Sequence, residues 1–418
     1  MRYRIHDQIF WGCSMGLAFL LPVWGKLVPP VIALMMLNWL SDPRSYSAFR
    51  RIFKEKQRLR VMGFGLIYLV YLIGLTYTSN FEYGKFDLEV KLSLLLFPLI
   101  FSTAQFPVFP GNRLRWILNF YTAGCFTGGV ILLFHAWFNA SFYQVQGSFY
   151  YGNLSWYFHS TYLSMYYNFA IACVIYIGYT KKKMNRLLIG FYALLVLFFI
   201  ALIFLLASKA GLFILLLLFI LSAIFIGWEL KNIGWTVFIG GFALFVFVLG
   251  YWLVPINVTR FNRAATAFTD HPEAGVVNTE STAERLAIWS VAGDIIRSNF
   301  FFGVGTGDVK DELLAGYKEK NNLAAFQKKL NTHNQYLQTF ITLGVIGFIV
   351  LAGMILFPAV RAARDRDFLY FIFLLIFALN LVLESMLEIQ AGVVFYAFFN
   401  TLLFTTKRNG DPVSRIPA

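Results

Sequence analysis

The stretch Leu187–Leu206 (LLIGFYALLVLFFIALIFLL) is twenty residues long and carries no charged side chain. A helix of this length rises about 30 Å, which matches the thickness of the hydrocarbon layer of a membrane. A second apolar run, 210–227, follows after only three residues. Long apolar runs joined by short polar connections are typical of proteins that cross a membrane many times.

The composition of the whole chain agrees with this pattern. Of its 418 residues, 59% are hydrophobic and 13% charged, whereas soluble domains are about 45–50% apolar and about 25% charged. We therefore predict an all-α integral membrane protein. About twelve spans are expected, with bounds near 8–24, 28–41, 61–79, 87–104, 115–137, 160–179, 187–206, 210–227, 234–254, 335–357, 368–383 and 390–405.

The positive charge predicts the orientation. Of the 35 Lys and Arg residues, 22 lie in connections and tails on one side of the predicted spans, so both termini are expected in the cytoplasm. This also explains the net charge of +14 without a nucleic-acid partner. The expected organisation is nine spans in 1–254, a long outer (periplasmic) loop in 255–334, three spans in 335–406 and a cytoplasmic tail in 407–418.

The outer loop contains a helix signal. Ser281-Thr-Ala-Glu284 fits a capping box and predicts a helix over 282–298. Arg285 and Trp289 then stand one turn apart on the same face. Either this helix lies on the membrane surface, or Arg285 points into a cavity with Trp289 beside it. An arginine in a cavity would suit an anion, because its planar fork pairs with phosphate or carboxylate.

A second polar motif, Asn331-Thr-His333-Asn334-Gln335, marks the point where the loop re-enters the membrane. Thr332 is expected to cap the next helix and to place His333 in its first turn. There the helix dipole disfavours the protonated ring, which would leave His333 able to accept a proton. The alternative is a structural histidine at the interface.

Further charged residues are expected on the outer side. Lys209, after Ser208, either snorkels to the interface or neutralises an anion there. Arg260 and Arg263 add two cations to the long loop. Glu384, which comes before the last span together with Glu388 and Gln390, can pair with the basic residues of that loop.

Two other features admit two interpretations each. Gly303-Val-Gly-Thr-Gly307 is either a tight turn between loop helices or a backbone nest for an anion, and it lacks the context of a nucleotide motif. The aromatic loop 139–159 is either an interfacial belt or a groove for a sugar or lipid. Neither the three cysteines nor any carboxylate or histidine cluster has metal-ligand spacing.

Lys209, Arg285 and His333 are thus predicted on one face of the membrane. Two cations and a base suit a reaction in which a phosphate leaves as a hydroxyl attacks, since the cations stabilise the charge on the leaving group.

At these residues the sequence resembles the O-antigen ligase and polymerase family of membrane glycosyltransferases. The resemblance rests on four motifs: Arg285-x-x-x-Trp289, Asn299-Phe-Phe-Phe-Gly303-Val-Gly305-Thr-Gly307, His333-Asn334-Gln-Tyr-Leu337 and Gly344-Val-Ile-Gly347. Phe300 stands where the family usually has proline. Ser208-Lys209-Ala210 aligns with a Ser-Arg-Gly/Ala motif, so Lys209 keeps the charge of the family's arginine but loses its fork.

The resemblance implies a GT-C-like fold in the bacterial inner membrane with a periplasmic active site. It implies transfer of a glycan, with inversion, from undecaprenyl pyrophosphate to lipid A-core, without a cofactor, metal or ATP. His333 and Arg285 match the family's catalytic histidine and arginine. Lys209, Arg285, Arg260 and Arg263 are the expected pyrophosphate contacts, with Ser208, Trp289, Asn334, Gln335 and Glu384 in support.

Three other functions are compatible with the sequence. The same family includes O-antigen polymerases and protein O-oligosaccharyltransferases, which differ in their acceptor. A transporter or flippase of an anionic lipid-linked glycan is more distant, because transport favours polar residues near the bilayer midplane. Here the apolar runs are nearly free of charge, with Glu89 and Lys91 as the main exception.

Overall fold

The computed structural model describes residues 2–104, 111–181, 185–229, 233–254, 256–259 and 281–406, and within these ranges the chain is helical and has no β-strand. The helices of the first half are α1 (Arg2–Val23), α2 (Val28–Ser41), α3 (Pro43–Ile52), α4 (Lys56–Met62), α5 (Leu66–Gly74), α6 (Phe81–Lys91), α7 (Ser93–Thr103), α8 (Gly111–Phe142), α9 (Tyr151–Leu154) and α10 (Ser160–Thr180). Those of the second half are α11 (Arg186–Leu206), α12 (Lys209–Glu229), α13 (Ile233–Leu253), α14 (Ser281–Ser298), α15 (Val309–Glu319), α16 (Leu323–Lys328), α17 (Gln335–Arg364), α18 (Phe368–Leu383) and α19 (Gln390–Thr405).

Several of these helices are suited to a membrane. In the described part of the chain, five are long and apolar enough to cross one: Lys56–Tyr77, Arg113–Phe142, Ser160–Thr180, Arg186–Leu206 and Gln335–Arg364. Shorter apolar helices occupy Gly25–Ser41, Lys209–Ile224, Leu244–Leu253, Phe368–Leu383 and Gln390–Thr405. The all-helical, membrane-protein character agrees with the sequence prediction, and the number of twelve spans stays a prediction.

The predicted span 87–104 is covered by two helices. These are α6 and α7, which meet at Leu92, where φ is −53° and ψ is −33°. Helix α6 carries five charged residues, and two of these, Asp87 and Lys91, are buried in the protein. A segment with that many charges has to turn them toward protein or water, so α6 is not a lipid-facing continuation of α7.

The chain forms two compact units. The first consists of Met1–Leu17, Gly25–Ile117 and Thr266–Ala418, and the second of Ala18–Trp24 and Leu118–Ala265. The described outer-loop helices and α17 to α19 all belong to the first unit, and they hold the residues of the candidate site discussed below.

Helix α19 lies at the centre of the first unit. All its residues from Gly392 to Thr405 are buried, as expected for a helix that is apolar around its whole circumference. It packs against α18, where the rings of Phe377 and Tyr396 stack with their centroids 4.6 Å apart. The short segment 384–389, which connects these two helices, carries Glu384 and Glu388.

The second unit is built around α10, which is buried from Ser160 to Val174. The hydroxyl group of Tyr121 donates to the carbonyl of Tyr166 at 2.9 Å, which ties α8 to α10. In the 139–159 loop, the ring of Trp156 stacks on His135 with a centroid distance of 4.7 Å. The Trp156 ring also contacts that of Tyr157, with a centroid distance of 5.1 Å.

Candidate active site

The helices of the outer loop share an apolar core. Buried side chains of α14 pack against α15, α16 and the first turns of α17: Ile288, Val291, Ala292, Ile295, Val309, Leu313, Tyr317, Ala325 and Ile341. Of the two interpretations of α14, the structure therefore excludes a helix whose apolar face lies on the membrane, because that face is covered by protein. The predicted helix over 282–298 is confirmed as Ser281–Ser298.

His333 stands just before α17 rather than in its first turn. The cap of α17 is Asn334, whose side-chain oxygen accepts from the Leu337 backbone N–H at 3.1 Å. His333 precedes this cap with a left-handed φ of 47°. The prediction that Thr332 caps the helix is wrong, because the buried Thr332 hydroxyl contacts the Asn334 carbonyl and Gln338 Oε1 instead, at 2.8 and 3.0 Å.

Trp289 fixes the segment before His333. Its indole Nε1–H donates to the carbonyl of Thr332 at 2.9 Å. Since Trp289 also packs against the apolar core of the loop, this bond links α14 to the backbone next to His333. Trp289 and Arg285, the pair predicted on one face of this helix, therefore have different contacts. Trp289 holds the backbone of Thr332, and Arg285 lies near the carboxylate of Glu384.

Glu384 joins the histidine and the arginine. Its Oε1 lies 2.8 Å from His333 Nδ1, and its Oε2 lies 3.8 Å from a terminal nitrogen of Arg285. The Glu384 side chain is only 7% exposed, while His333 and Arg285 retain 25% and 22% exposure. The carboxylate is therefore buried behind two partly accessible side chains.

This geometry has a chemical consequence. When the neutral ring donates its Nδ1–H to the Glu384 carboxylate, the lone pair is on Nε2, which can then accept a proton. The carboxylate also stabilises the imidazolium that forms, as in other carboxylate–histidine pairs. At 3.8 Å, Arg285 is attracted to Glu384 but is beyond hydrogen-bond distance from it, so its N–H donors are not used up by this contact.

A second polar network lies beside the first. The Gln335 side chain accepts from the Leu387 backbone N–H at 2.7 Å and donates to Glu388 at 3.1 Å. Glu388 is also 3.2 Å from Lys91 Nζ, and Lys91 pairs with Asp87 one turn back on α6. Lys91 is fully buried. This network fixes the 384–389 segment that presents Glu384.

Asp87 and Lys91 were missed as site-related residues. The signal was present in the sequence, because opposite charges at i, i+4 inside an apolar run point inward and pair. Glu89, which was noted beside Lys91, is exposed instead. No sequence pattern indicated that Glu388, from the other end of the chain, would lie beside them.

The Gly303–Gly307 segment packs closely against two membrane helices. The backbone N–H groups of Val304 and Gly305 donate to carbonyls of α17, and that of Thr306 donates to the Gly74 carbonyl. The N–H of Gly307 donates to the Thr78 hydroxyl at 2.9 Å. All four donors are engaged by the protein, so the anion-nest interpretation is wrong and the turn interpretation holds.

Asp308, which follows these glycines, anchors the loop. Its carboxylate accepts from the backbone N–H groups of Ser79 at 2.8 Å and of Asn80 at 2.6 Å. Burial disfavours the charged form, but these hydrogen bonds outweigh it and hold the pKa of Asp308 below its ordinary value. The anchor therefore depends on a charged carboxylate.

Of the other predicted cations, Lys209 is the one that the described residues include. Lys209 opens α12 in the second unit after a left-handed Ala207, and the buried Ser208 Oγ accepts from the Gly211 N–H at 3.2 Å. Arg260 and Arg263 lie outside the described residues. Within the first unit, the structure brings together Arg285, Trp289, His333–Gln335 and Glu384. Among the described residues, no three His, Cys, Asp or Glu side chains form a group that could hold a metal ion.

The sequence was compared with models of known protein families and with curated proteins. A family model described as O-antigen ligase matches residues 194–352, and no curated protein matches the chain. The matched range includes Lys209, Arg285 and His333 and ends before Glu384. Over this range, which is less than half of the chain, the protein is similar to the O-antigen ligase family.

Proposed function

We propose that this protein transfers a glycan from undecaprenyl pyrophosphate to a hydroxyl group of lipid A-core, at the periplasmic face of the bacterial inner membrane. The observation that carries the proposal is the Glu384 carboxylate, which contacts His333 through one oxygen and Arg285 through the other. The match to the O-antigen ligase family supports the substrate class.

The proposed reaction is a single displacement. The acceptor oxygen attacks the anomeric carbon of the first sugar, and the bond from that carbon to the pyrophosphate oxygen breaks. His333 Nε2 takes the proton of the attacking hydroxyl, while Glu384 holds the ring through Nδ1. The pyrophosphate leaves with the electron pair, and Arg285 neutralises the charge that develops on it. Attack from the face opposite the leaving group inverts the anomeric centre.

Site-directed variants test this division of roles. In a membrane preparation supplied with lipid-linked glycan and core lipid, His333→Ala is expected to lower transfer by about 10²–10⁴-fold, the usual contribution of a general base. Arg285→Ala should also abolish most transfer. Arg297→Ala is the matched control, because Arg297 is on the same helix with its side chain 83% exposed. Normal transfer by both site variants would overturn the proposal.

The acceptor requires a separate experiment. In a deletion strain, loss of polymer from the core lipid indicates a ligase, which is the expected result. A single repeat on the core would indicate an O-antigen polymerase, and unchanged lipopolysaccharide with lost glycoproteins would indicate a protein O-oligosaccharyltransferase. Flux of lipid-linked glycan in proteoliposomes without any acceptor would favour a transporter or flippase instead.

A further inference from the structure

Helix α17 is broken at one point inside its apolar stretch. Gly344 has φ 64° and ψ −161°, a conformation open almost only to glycine. The break frees backbone groups on both sides of it. The carbonyls of Ile341 and Thr342 accept from Val304 and Gly305 at 2.9 and 3.0 Å, and the Val345 N–H donates to the Phe300 carbonyl at 2.8 Å.

The loop and the helix approach each other closely at this break. A Cβ atom on Gly344 would stand 2.2 Å from the Phe301 carbonyl oxygen, and one on Gly303 would stand 2.5 Å from backbone atoms of α17. Non-helical backbone at membrane depth is tolerated only where the protein satisfies its hydrogen bonds. Here the segment 300–305 provides those bonds.

The position of the break along α17 gives its depth in a membrane. From Val345 to Val360 the helix has no charged residue, and Arg361 follows. These residues rise about 24 Å, compared with a hydrocarbon thickness of about 30 Å. With Arg361 at the inner boundary, Gly344 and the segment beside it lie near the outer boundary of the hydrocarbon layer, rather than out in water.

The side chains at this depth are apolar and exposed. Phe301 and Phe302 are 67% and 66% exposed, although the Phe302 carbonyl is held by the Tyr77 hydroxyl at 2.6 Å. Two side chains of α17 just after the break, those of Ile346 and Ile349, are also exposed, at 45% and 62%. Exposed apolar side chains on a turn pinned to a membrane helix mark a contact surface.

We propose that Phe301 and Phe302 insert into the acyl chains of the outer leaflet and anchor the outer loop to the membrane surface. The occupant is lipid, because the exposed rings accompany the lipid-facing side chains of α17 at the depth where its hydrocarbon stretch ends. The anchor lies between α14, which carries Arg285, and α17, which follows His333. It holds both residues at the membrane surface, whatever reaction they catalyse.

Depth measurement with a spin label tests the anchor. Phe301→Cys and Phe302→Cys carry the label in protein reconstituted into phospholipid nanodiscs, with Ala315→Cys, exposed on α15, as the control. The native cysteines are buried, and the parent protein labelled in parallel gives the background. At 301 and 302, oxygen is expected to relax the label more than a polar nickel complex does, and the reverse is expected at 315.

Two results would overturn the proposal. One is access of the nickel complex at 301 and 302 equal to that at 315, which places the turn in water. The other is protection from both reagents, which indicates a second copy of the chain or another protein on this surface. Neither readout uses transfer activity, so the anchor can fail while the proposed reaction stands, and the reverse also holds.

A second pair of variants covers the case in which the label disturbs the turn. Phe301→Leu keeps an apolar side chain, whereas Phe301→Asp places a charge at the outer edge of the hydrocarbon. Amide exchange of residues 299–305 in nanodiscs is expected to stay slow in the leucine variant and to rise at least several-fold in the aspartate variant. Equal exchange in both variants would contradict the anchor.

Discussion

Replacement of Lys91 by methionine is expected to destabilise the protein strongly, because Lys91 is the only cation among the described residues that contacts Asp87 and Glu388. Lys91 is fully buried, and its Nζ lies 3.2 Å from Glu388 and in contact with Asp87. Methionine is close to lysine in length, so the loss of packing should stay below about 1.5 kcal/mol. The electrostatic effect therefore decides the outcome.

Its size follows from the charges. One lysine already serves two carboxylates, so removal of Lys91 forces a further carboxyl group to stay buried without a partner or to take up a proton. Protonation of an aspartate with an ordinary pKa of about 3.9 costs about 4 kcal/mol at pH 7, at 1.36 kcal/mol per pH unit. This agrees with the roughly 3–5 kcal/mol usually lost when one member of a buried pair is removed.

The assay is thermal unfolding of the purified protein in nanodiscs. Lys91→Met should melt well below the parent protein, and the difference should shrink as the pH is lowered toward 5. Lys85→Met is the matched control, since Lys85 is exposed on the same helix. The triple variant Asp87→Asn, Lys91→Met, Glu388→Gln should recover much of the loss, because none of these three side chains then carries a charge. If Lys91→Met melts together with Lys85→Met, the reasoning is refuted.

Four other predictions concern the site and its supports. Glu384→Gln should lower transfer about 10- to 100-fold with unchanged melting. The His333 ring keeps a hydrogen-bond acceptor at Nδ1 but loses the negative charge that stabilises its protonated form. A transfer rate equal to that of the parent protein would contradict this role. Asp308→Asn should melt below the parent protein at pH 7. The difference in melting temperature should close below about pH 4, because the lowered pKa of Asp308 gives stability that is lost as the pH falls through it. A difference that does not depend on pH would argue against the charged anchor. Gly344→Ala should lower the free energy of unfolding by roughly 1–3 kcal/mol or more, because the added Cβ clashes with the Phe301 carbonyl. Gly353→Ala is the control, since a Cβ there meets open space. Equal melting temperatures of the two variants would contradict this prediction. Lys209→Arg should retain transfer and Lys209→Ala should lose most of it, if the cation expected from the family resemblance is needed; equal activity of both variants would exclude this requirement.

Much of the first-unit site could be read from the sequence. Arg285 and Trp289 were recognised from their spacing on a helix with a capping signal, and the helix is present as Ser281–Ser298. His333 was recognised from its polar motif, but the helix after it begins two residues later than predicted, with Asn334 instead of Thr332 as its cap. Asn334 and Thr332 are both residue types that cap helices. Thr332 is excluded as the cap because its hydroxyl group is buried against Gln338, which the sequence does not reveal.

Some features of this protein follow from the sequence and others only from the tertiary structure, and the difference has a physical reason. Preference for lipid over water is a property of each side chain and adds along the chain, so the membrane class and the helix Ser281–Ser298 are determined by the sequence alone. Pairing of buried charges depends on distance in space, and sequence order carries little information about it. Only the tertiary structure placed Glu384 between His333 and Arg285, and Glu388 on Lys91, because these pairs form between residues that are far apart in the sequence.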